Sequence, residues 1–198
     1  MKHLLLIVAA FFTFCECSAQ IMEDDFETNQ FNWNETVGKR GQAVIKDGVL
    51  HMETSNERLL CTTYGPFDIN KPFILSCDAF VKRVDNNKIF GIILDYEDED
   101  NFMCFYVCEG ESRLEIIKND KLVGKKYATI NLESGKKKGI TFEIEYNLNE
   151  IIFKVNSMKA LSYRRRVTNS DFILGTSGIG FFVKNGAFVD FDNLKITQ

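Results

Sequence analysis

From residue 21 onward, apolar and polar residues alternate with a period of two in short runs separated by turn-forming residues. The longest run puts Phe73, Leu75, Cys77, Ala79 and Val81 on one parity and Ile74, Ser76, Asp78, Phe80 and Lys82 on the other. Ile140, Phe142, Ile144 and Tyr146 alternate in the same way with Thr141, Glu143 and Glu145. Side chains of a strand point to opposite faces in turn, so each run predicts a strand with one buried face. Outside the first twenty residues, no window of eleven or more shows a helical repeat. Roughly a dozen strands, spaced about ten residues apart, predict an all-β protein. The expected architecture is a two-sheet antiparallel jelly-roll sandwich formed by one domain over residues 21–198.

Turn chemistry sets the boundaries. Asp47-Gly48 separates Ala43-Val44-Ile45 from Val49-Leu50-His51-Met52 and predicts a hairpin. Asn119-Asp120 joins Leu114–Lys118 to Leu122-Val123, and Asn156-Ser157 joins Ile151–Val155 to Met158–Tyr163. Ile89–Leu94 reads as a central strand, followed by a turn over Asp95 to Asn101 and a strand over Phe102 to Cys108. Near the C-terminus, Asn185-Gly186 lies between two β-type runs and predicts a closing hairpin with a type I′ turn. In its second strand Val189 and Phe191 share a parity that Leu194 and Ile196 do not. A one-residue bulge at Asp192-Asn193 would bring all four to the core.

Composition supports a thick aromatic core: the 198 residues include 18 Phe and only 2 Pro. A formal charge of −4 argues against a general nucleic-acid binder. Residues 1–20 have the form of a secretory signal peptide: Lys2 and His3, an apolar run from Leu4 through Phe14, then Ser18-Ala19-Gln20 with cleavage after Gln20. The run is short for a bilayer span, so no integral membrane segment is expected after cleavage, and the expected location is secreted or periplasmic. A lipoprotein through Cys15 or Cys17 is the alternative, although neither cysteine follows a good lipobox.

Past the leader there remain Cys61, Cys77, Cys104 and Cys108. Four cysteines allow three pairings. Cys104 and Cys108 share one strand, about 13 Å apart at about 3.3 Å per residue, too far for a disulfide. Cys61 and Cys77 either face each other or, with the other two, remain buried thiols. The absence of a CxxC pair gives no support to a zinc or thioredoxin-like centre.

Several segments together resemble the concanavalin A-like lectin/glucanase superfamily, in its laminin-G-like and sugar-hydrolase-associated jelly rolls. They are Asp24-Asp25-Phe26, Asp47-Gly48-Val49-Leu50, Pro72-Phe73-Ile74-Leu75-Ser76, Asp95 to Val107, Phe153-Lys154-Val155-Asn156-Ser157 and Gly178-Ile179-Gly180-Phe181. The resemblance spans nearly the whole chain after the leader and rests on turns and strand starts. It implies an exported bacterial member of that fold, whose relatives include lectins, glycan-binding modules and glycoside hydrolases. A structural Ca²⁺ between first and last strands is common among such jelly rolls. Here the resemblance would assign it to Asp24, Asp25, Asp190 and Asp192.

Glycan binding needs an exposed aromatic platform with polar groups that fix hydroxyls. The rings outside the Phe core are Trp33, Tyr64, Tyr96, Tyr106, Tyr127 and Tyr163; Trp33, Tyr64, Tyr96 and Tyr106 are the expected ligand-binding set. Trp33 serves equally as a lid over one end of the sandwich. Laminarinase-type members carry Glu-x-Asp-x-(x)-Glu on one strand, for which Glu143-Ile144-Glu145 is an incomplete match. No catalytic residue is therefore assigned, and with His51 the lone histidine past the leader, a histidine triad lacks material. The acidic tract Asp95–Asp100 reads as a solvated turn rather than a Ca²⁺ loop. Lys136-Lys137-Lys138 and Arg164-Arg165-Arg166 read as surface charge, with an anionic polysaccharide as the alternative. The expected role is an exported carbohydrate-recognition or structural module of the cell envelope, with a glycan or envelope protein as partner. A glycoside hydrolase is the alternative, and oligomeric state is left open.

Overall fold

The structure, a computed structural model, describes residues 19–82, 88–130, 139–164 and 174–198. Its strands are β1 (Gln20–Asp24), β2 (Thr36–Gly38), β3 (Gly41–Lys46), β4 (Val49–Thr54), β5 (Leu59–Tyr64), β6 (Phe73–Val81), β7 (Ile89–Asp98) and β8 (Asn101–Cys108). They continue as β9 (Glu111–Lys118), β10 (Lys121–Thr129), β11 (Ile140–Tyr146), β12 (Glu150–Val155), β13 (Met158–Arg164), β14 (Gly178–Lys184) and β15 (Phe188–Thr197). All pairings are antiparallel and fall into two sheets. The larger, nine-stranded sheet runs β13-β12-β11-β6-β15-β4-β3-β2, with β1 added to β15. The six-stranded sheet runs β10-β9-β8-β7-β14-β5. The expected all-β jelly-roll sandwich is thus the observed one.

The inner faces meet in a core of the predicted alternating residues, with Phe73, Leu75, Cys77 and Ala79 of β6 facing Phe105 of β8 and Ile92 of β7 within one buried cluster. Phenylalanine rings fill the space between the sheets: Phe105 stacks on Phe153 at 4.3 Å and Phe181 on Phe191 at 4.4 Å between centroids. The turn at Asp47-Gly48 has φ of 55° and 72°, the left-handed pair of a type I′ hairpin. The turns at Asn119-Asp120 and Asn156-Ser157 also take positive φ.

The closing stretch differs from expectation. Asn185 and Gly186 do take left-handed φ, 59° and 70°. Yet β14 and β15 do not pair: β14 lies between β7 and β5, and β15 lies beside β6, β4 and β1. The turn is a corner between sheets. Its physical reason is that β14 is buried on both faces over Gly178–Val183, so it needs a central place in the smaller sheet. The bulge in β15 is present: Asp192 is opposite Asp78, but Lys195 is opposite Ser76, one residue more on β15 than on β6. Asn193 takes φ of 53°, and Val189, Phe191, Leu194 and Ile196 are all buried.

The acidic tract is also a correction. β7 continues through Asp98, with a register break after Leu94, and the turn shrinks to Glu99-Asp100. Asp95 turns its carboxylate onto the backbone N–H groups of Gly175 and Thr176, and Asp98 accepts from Asp100 and Asn101.

At the N-terminal end the ladder reaches Ala19, which exchanges backbone bonds of 3.0 Å with Gln198. Asp24 is fully buried; its Oδ2 accepts from Trp33 Nε1 at 2.7 Å and its Oδ1 from Phe26 N at 3.0 Å. Trp33 packs on Phe26 and Phe181, so loop 25–35 is drawn over the core. All four described cysteines are free and buried. Burial pushes the Cys61 thiol up to about 12 and raises Cys77 and Cys104 above the usual thiol range.

Asp24→Ala leaves two buried donors without an acceptor and is expected to lower stability by about 3 kcal/mol. Urea unfolding followed by Trp33 fluorescence measures this; a midpoint equal to wild type would contradict it. Iodoacetamide at pH 8 is expected to leave Cys61, Cys77 and Cys104 unlabelled in the native protein and to label them after unfolding, as read by peptide mapping.

Candidate functional site

The outer face of the six-stranded sheet changes character from one edge to the other. Register places Leu60, Phe182, Gly91, Tyr106, Arg113 and Tyr127 in one row across β5, β14, β7, β8, β9 and β10. The next row is Thr62, Gly180, Ile93, Cys104, Glu115 and Lys125. Towards the middle these residues form a second apolar cluster, distinct from the core between the sheets, with Ile93, Phe102, Cys104, Tyr106, Cys108 and Phe182 all buried. A side chain at Gly91 would place its Cβ 2.0 Å from the Phe105 carbonyl oxygen, so the position requires glycine. Tyr106 and Phe182 meet across it, ring centroids 5.6 Å apart.

At β9 and β10 the same rows become polar. Tyr106 marks the boundary: its ring is buried and its hydroxyl donates to Glu115 Oε1 at 2.9 Å. Burial first, then the Glu115 carboxylate, raise the phenol above its ordinary range, so it stays a neutral donor. Arg113 donates from both Nε and Nη2 to Glu111 Oε2, each at 2.9 Å, and this pairing raises the guanidinium pKa further. Beyond them Tyr127 is 67% exposed. Glu111, Arg113, Glu115, Lys125 and Tyr127 line a shallow depression of ≈ 410 Å³. An open ring on a rigid sheet, flanked by two carboxylates, a guanidinium and an ammonium, offers a platform for an apolar face and both donors and acceptors for hydroxyls.

Three of the expected ligand-binding rings share this face. Tyr106 borders the polar depression. Tyr64, 59% exposed on β5, donates its hydroxyl to the Glu97 carbonyl at 3.2 Å, and half-buried Tyr96 packs against the second apolar cluster. Both belong to the opposite, β5 and β14, side of the sheet. Trp33 is not an open platform: it is 3% exposed and its N–H is engaged by Asp24. The lid alternative describes it. Tyr127 is among the available rings but outside the expected set, and Arg113, Glu111 and Glu115 are not in it, although Glu111-x-Arg113-x-Glu115 repeats at the strand period with buried Ser112 and Leu114 between.

The four aspartates expected to share a Ca²⁺ are arranged otherwise. Asp24 is closed by Trp33 and Phe26, and buried Asp190 by His51 Nδ1 at 2.9 Å and Lys82 Nζ at 2.7 Å. Exposed Asp25 accepts from Glu27 N, and Asp192 from Asn193 N. Burial, then the charges of Asp78, Asp25 and Asp190, raise the Asp192 carboxyl above its usual range. Ca²⁺ takes six to eight oxygens. Among the described residues no three His, Cys, Asp or Glu side chains converge as a metal site, so this set does not fit the ion. Glu143 and Glu145 share a face as expected, but Lys154 bridges both, at 2.7 Å to Glu143 Oε1 and in a closer contact with Glu145. Arg164 pairs with Glu150 Oε1 at 3.3 Å. Lys136-Lys137-Lys138, Arg165 and Arg166, like the leader through Ser18, lie outside the described residues. No described helix is long and apolar enough to cross a membrane.

No family model matches the chain. A curated protein of Acanthamoeba polyphaga mimivirus, described as an ankyrin repeat protein, is 25% identical over 107 residues, covering 51% of this chain and 16% of that one. The chain thus spans about a sixth of that relative, and its described residues hold none of the paired helices of an ankyrin repeat. Among solved structures, a Bacillus subtilis protein of unknown function with a galectin-like fold superposes with TM-score 0.67 at 10% identity, covering 91% of this chain and 96% of its own. The Bacillus subtilis carbohydrate-binding module CBM66 gives 0.58 at 11% identity, with 84% and 95% covered. The botulinum neurotoxin serotype D binding domain gives 0.56 at 12% identity, with 90% and 48% covered. At these identities the likeness establishes the fold: a lectin-like jelly-roll sandwich of the galectin type.

Proposed function

We propose that the protein is an exported carbohydrate-recognition module of the cell envelope that holds a glycan on the outer face of its six-stranded sheet. The observation that carries this reading is the juxtaposition of exposed Tyr127 with the Arg113–Glu111 pair and the Tyr106–Glu115 hydrogen bond. Sugars present an apolar C–H face and a rim of hydroxyls, and the depression answers each with a ring and with oriented polar groups. Strand pairing fixes these groups before any ligand arrives, which lowers the ordering cost of binding. The fold shared with CBM66, a carbohydrate-binding module by name, supports the same reading. Export rests on the form of residues 1–20.

A panel of immobilised neutral glycans tests this. Wild type is expected to be retained by at least one glycan without releasing product. Tyr127→Ala is expected to weaken that retention about tenfold while leaving the melting temperature unchanged, because the ring contributes to binding and not to the core. Tyr64→Ala, at the far edge, is expected to retain wild-type binding. No retention of wild type on the panel, or equal retention of Tyr127→Ala, would overturn the proposal.

A further inference from the structure

A larger depression, ≈ 750 Å³, lies at the other edge of the six-stranded sheet, between the turn joining β2 to β3 and the ends of β5 and β14. Its charged lining is Lys39, Arg40, Arg58, Lys184, Glu57 and Glu99. Four cations thus face two carboxylates in a chain whose formal charge is −4. Arg40 is closed by Glu57 at 2.8 Å. The other three cations are different.

Arg58 is half-buried, its guanidinium 5.2 Å from the Phe102 ring centroid and its Nη2 donating to the Glu99 carbonyl at 3.1 Å. Ring and carbonyl fix the plane of the group while most of its five donors stay available. Arg58 and Lys184 each lie one residue beyond the last pair of the β5–β14 ladder, Leu59 with Val183, and both line the depression. Like charges gathered in one depression repel unless an anion sits among them. Among the described residues no carboxylate lies within ion-pair distance of Arg58, Lys184 or Lys39. A fixed guanidinium and two ammonium groups lining the same cleft form a set that a ligand's negative charge would neutralise.

We propose that this cleft is an anion-binding subsite in which Arg58, Lys184 and Lys39 take the carboxylate or sulfate groups of an acidic polysaccharide. The choice of polymer rests on the carbohydrate reading above. Five inter-strand spacings of about 4.8 Å separate β5 from β10, so an extended chain crossing the sheet for about 24 Å meets the cleft at one edge and Tyr127 at the other.

Affinity electrophoresis in polygalacturonate, dextran sulfate, neutral dextran and single-stranded DNA tests the proposal. Wild type is expected to be retarded by polygalacturonate or dextran sulfate, less so at high salt, and by neither control. Lys39→Gln/Lys184→Gln, both at exposed positions, is expected to keep the wild-type melting temperature and to lose at least about tenfold in retardation, as does Arg58→Gln if it folds. Retardation by neither acidic polymer, retardation unchanged in the double lysine variant, or stronger retardation by DNA would each overturn it. The double lysine variant and the neutral-glycan panel separate the two proposals. Loss of lysine-dependent retardation leaves the neutral-glycan result standing, and silence on neutral glycans leaves a lysine-dependent acidic response standing.

Discussion

One inserted residue in β15 governs the larger sheet. A strand offers alternate side chains to one face, and without the extra residue at Asp192-Asn193 the pair Leu194 and Ile196 would point at water while Val189 and Phe191 pointed inward. The bulge changes parity midway, at a residue able to adopt positive φ, and one strand then serves two partners on the same side. Its first half takes β4, its second half takes β1, and β6 runs along the other side. Core and sheet are therefore set by the same local irregularity.

The inner core leaves the outer faces free to differ, and they do. Outside the nine-stranded sheet, charges are matched locally, as where Lys154 holds Glu143 and Glu145 or where Asp190 lies between His51 and Lys82. Outside the six-stranded sheet, the middle strands are apolar on this face too, and polar groups gather towards its two edges. Buried Phe182 and Tyr106 over Gly91 stiffen the ground between those edges. A surface that is hard in the middle and polar at both ends suits a ligand that lies across strands.

Much of this was legible in the sequence, because period-two alternation depends on local chemistry alone. The Asp47-Gly48 hairpin, the alternation of β6 and β11 and the bulge in β15 all follow from it. What a local pattern lacks is the identity of a strand's neighbour. Asn185-Gly186 fixes the shape of a turn, but the two-sided burial of β14 decides that the strands part. Trp33 illustrates the same limit: from the sequence it is equally an open ring or a lid, and Asp24, nine residues earlier, decides for the lid by giving its N–H a buried acceptor. Tyr127 went unranked because its significance comes from Arg113 across the ladder. Asp24, Asp25, Asp190 and Asp192 are close along the ends of the chain, yet Asp24 and Asp190 are each committed to donors of their own.

The corner at Asn185-Gly186 has a consequence for how the chain assembles. β14 separates β7 from β5 in one sheet, and β15 separates β6 from β4 in the other, so residues 178–197 occupy an interior place in both. A nascent chain lacking them exposes two gapped half-sheets with unsatisfied backbone edges. Such long-range pairing is slow to form and waits on residues 178–197. Completion of either sheet is thereby deferred until residues 178–197 are in place, so the two layers of the sandwich close together.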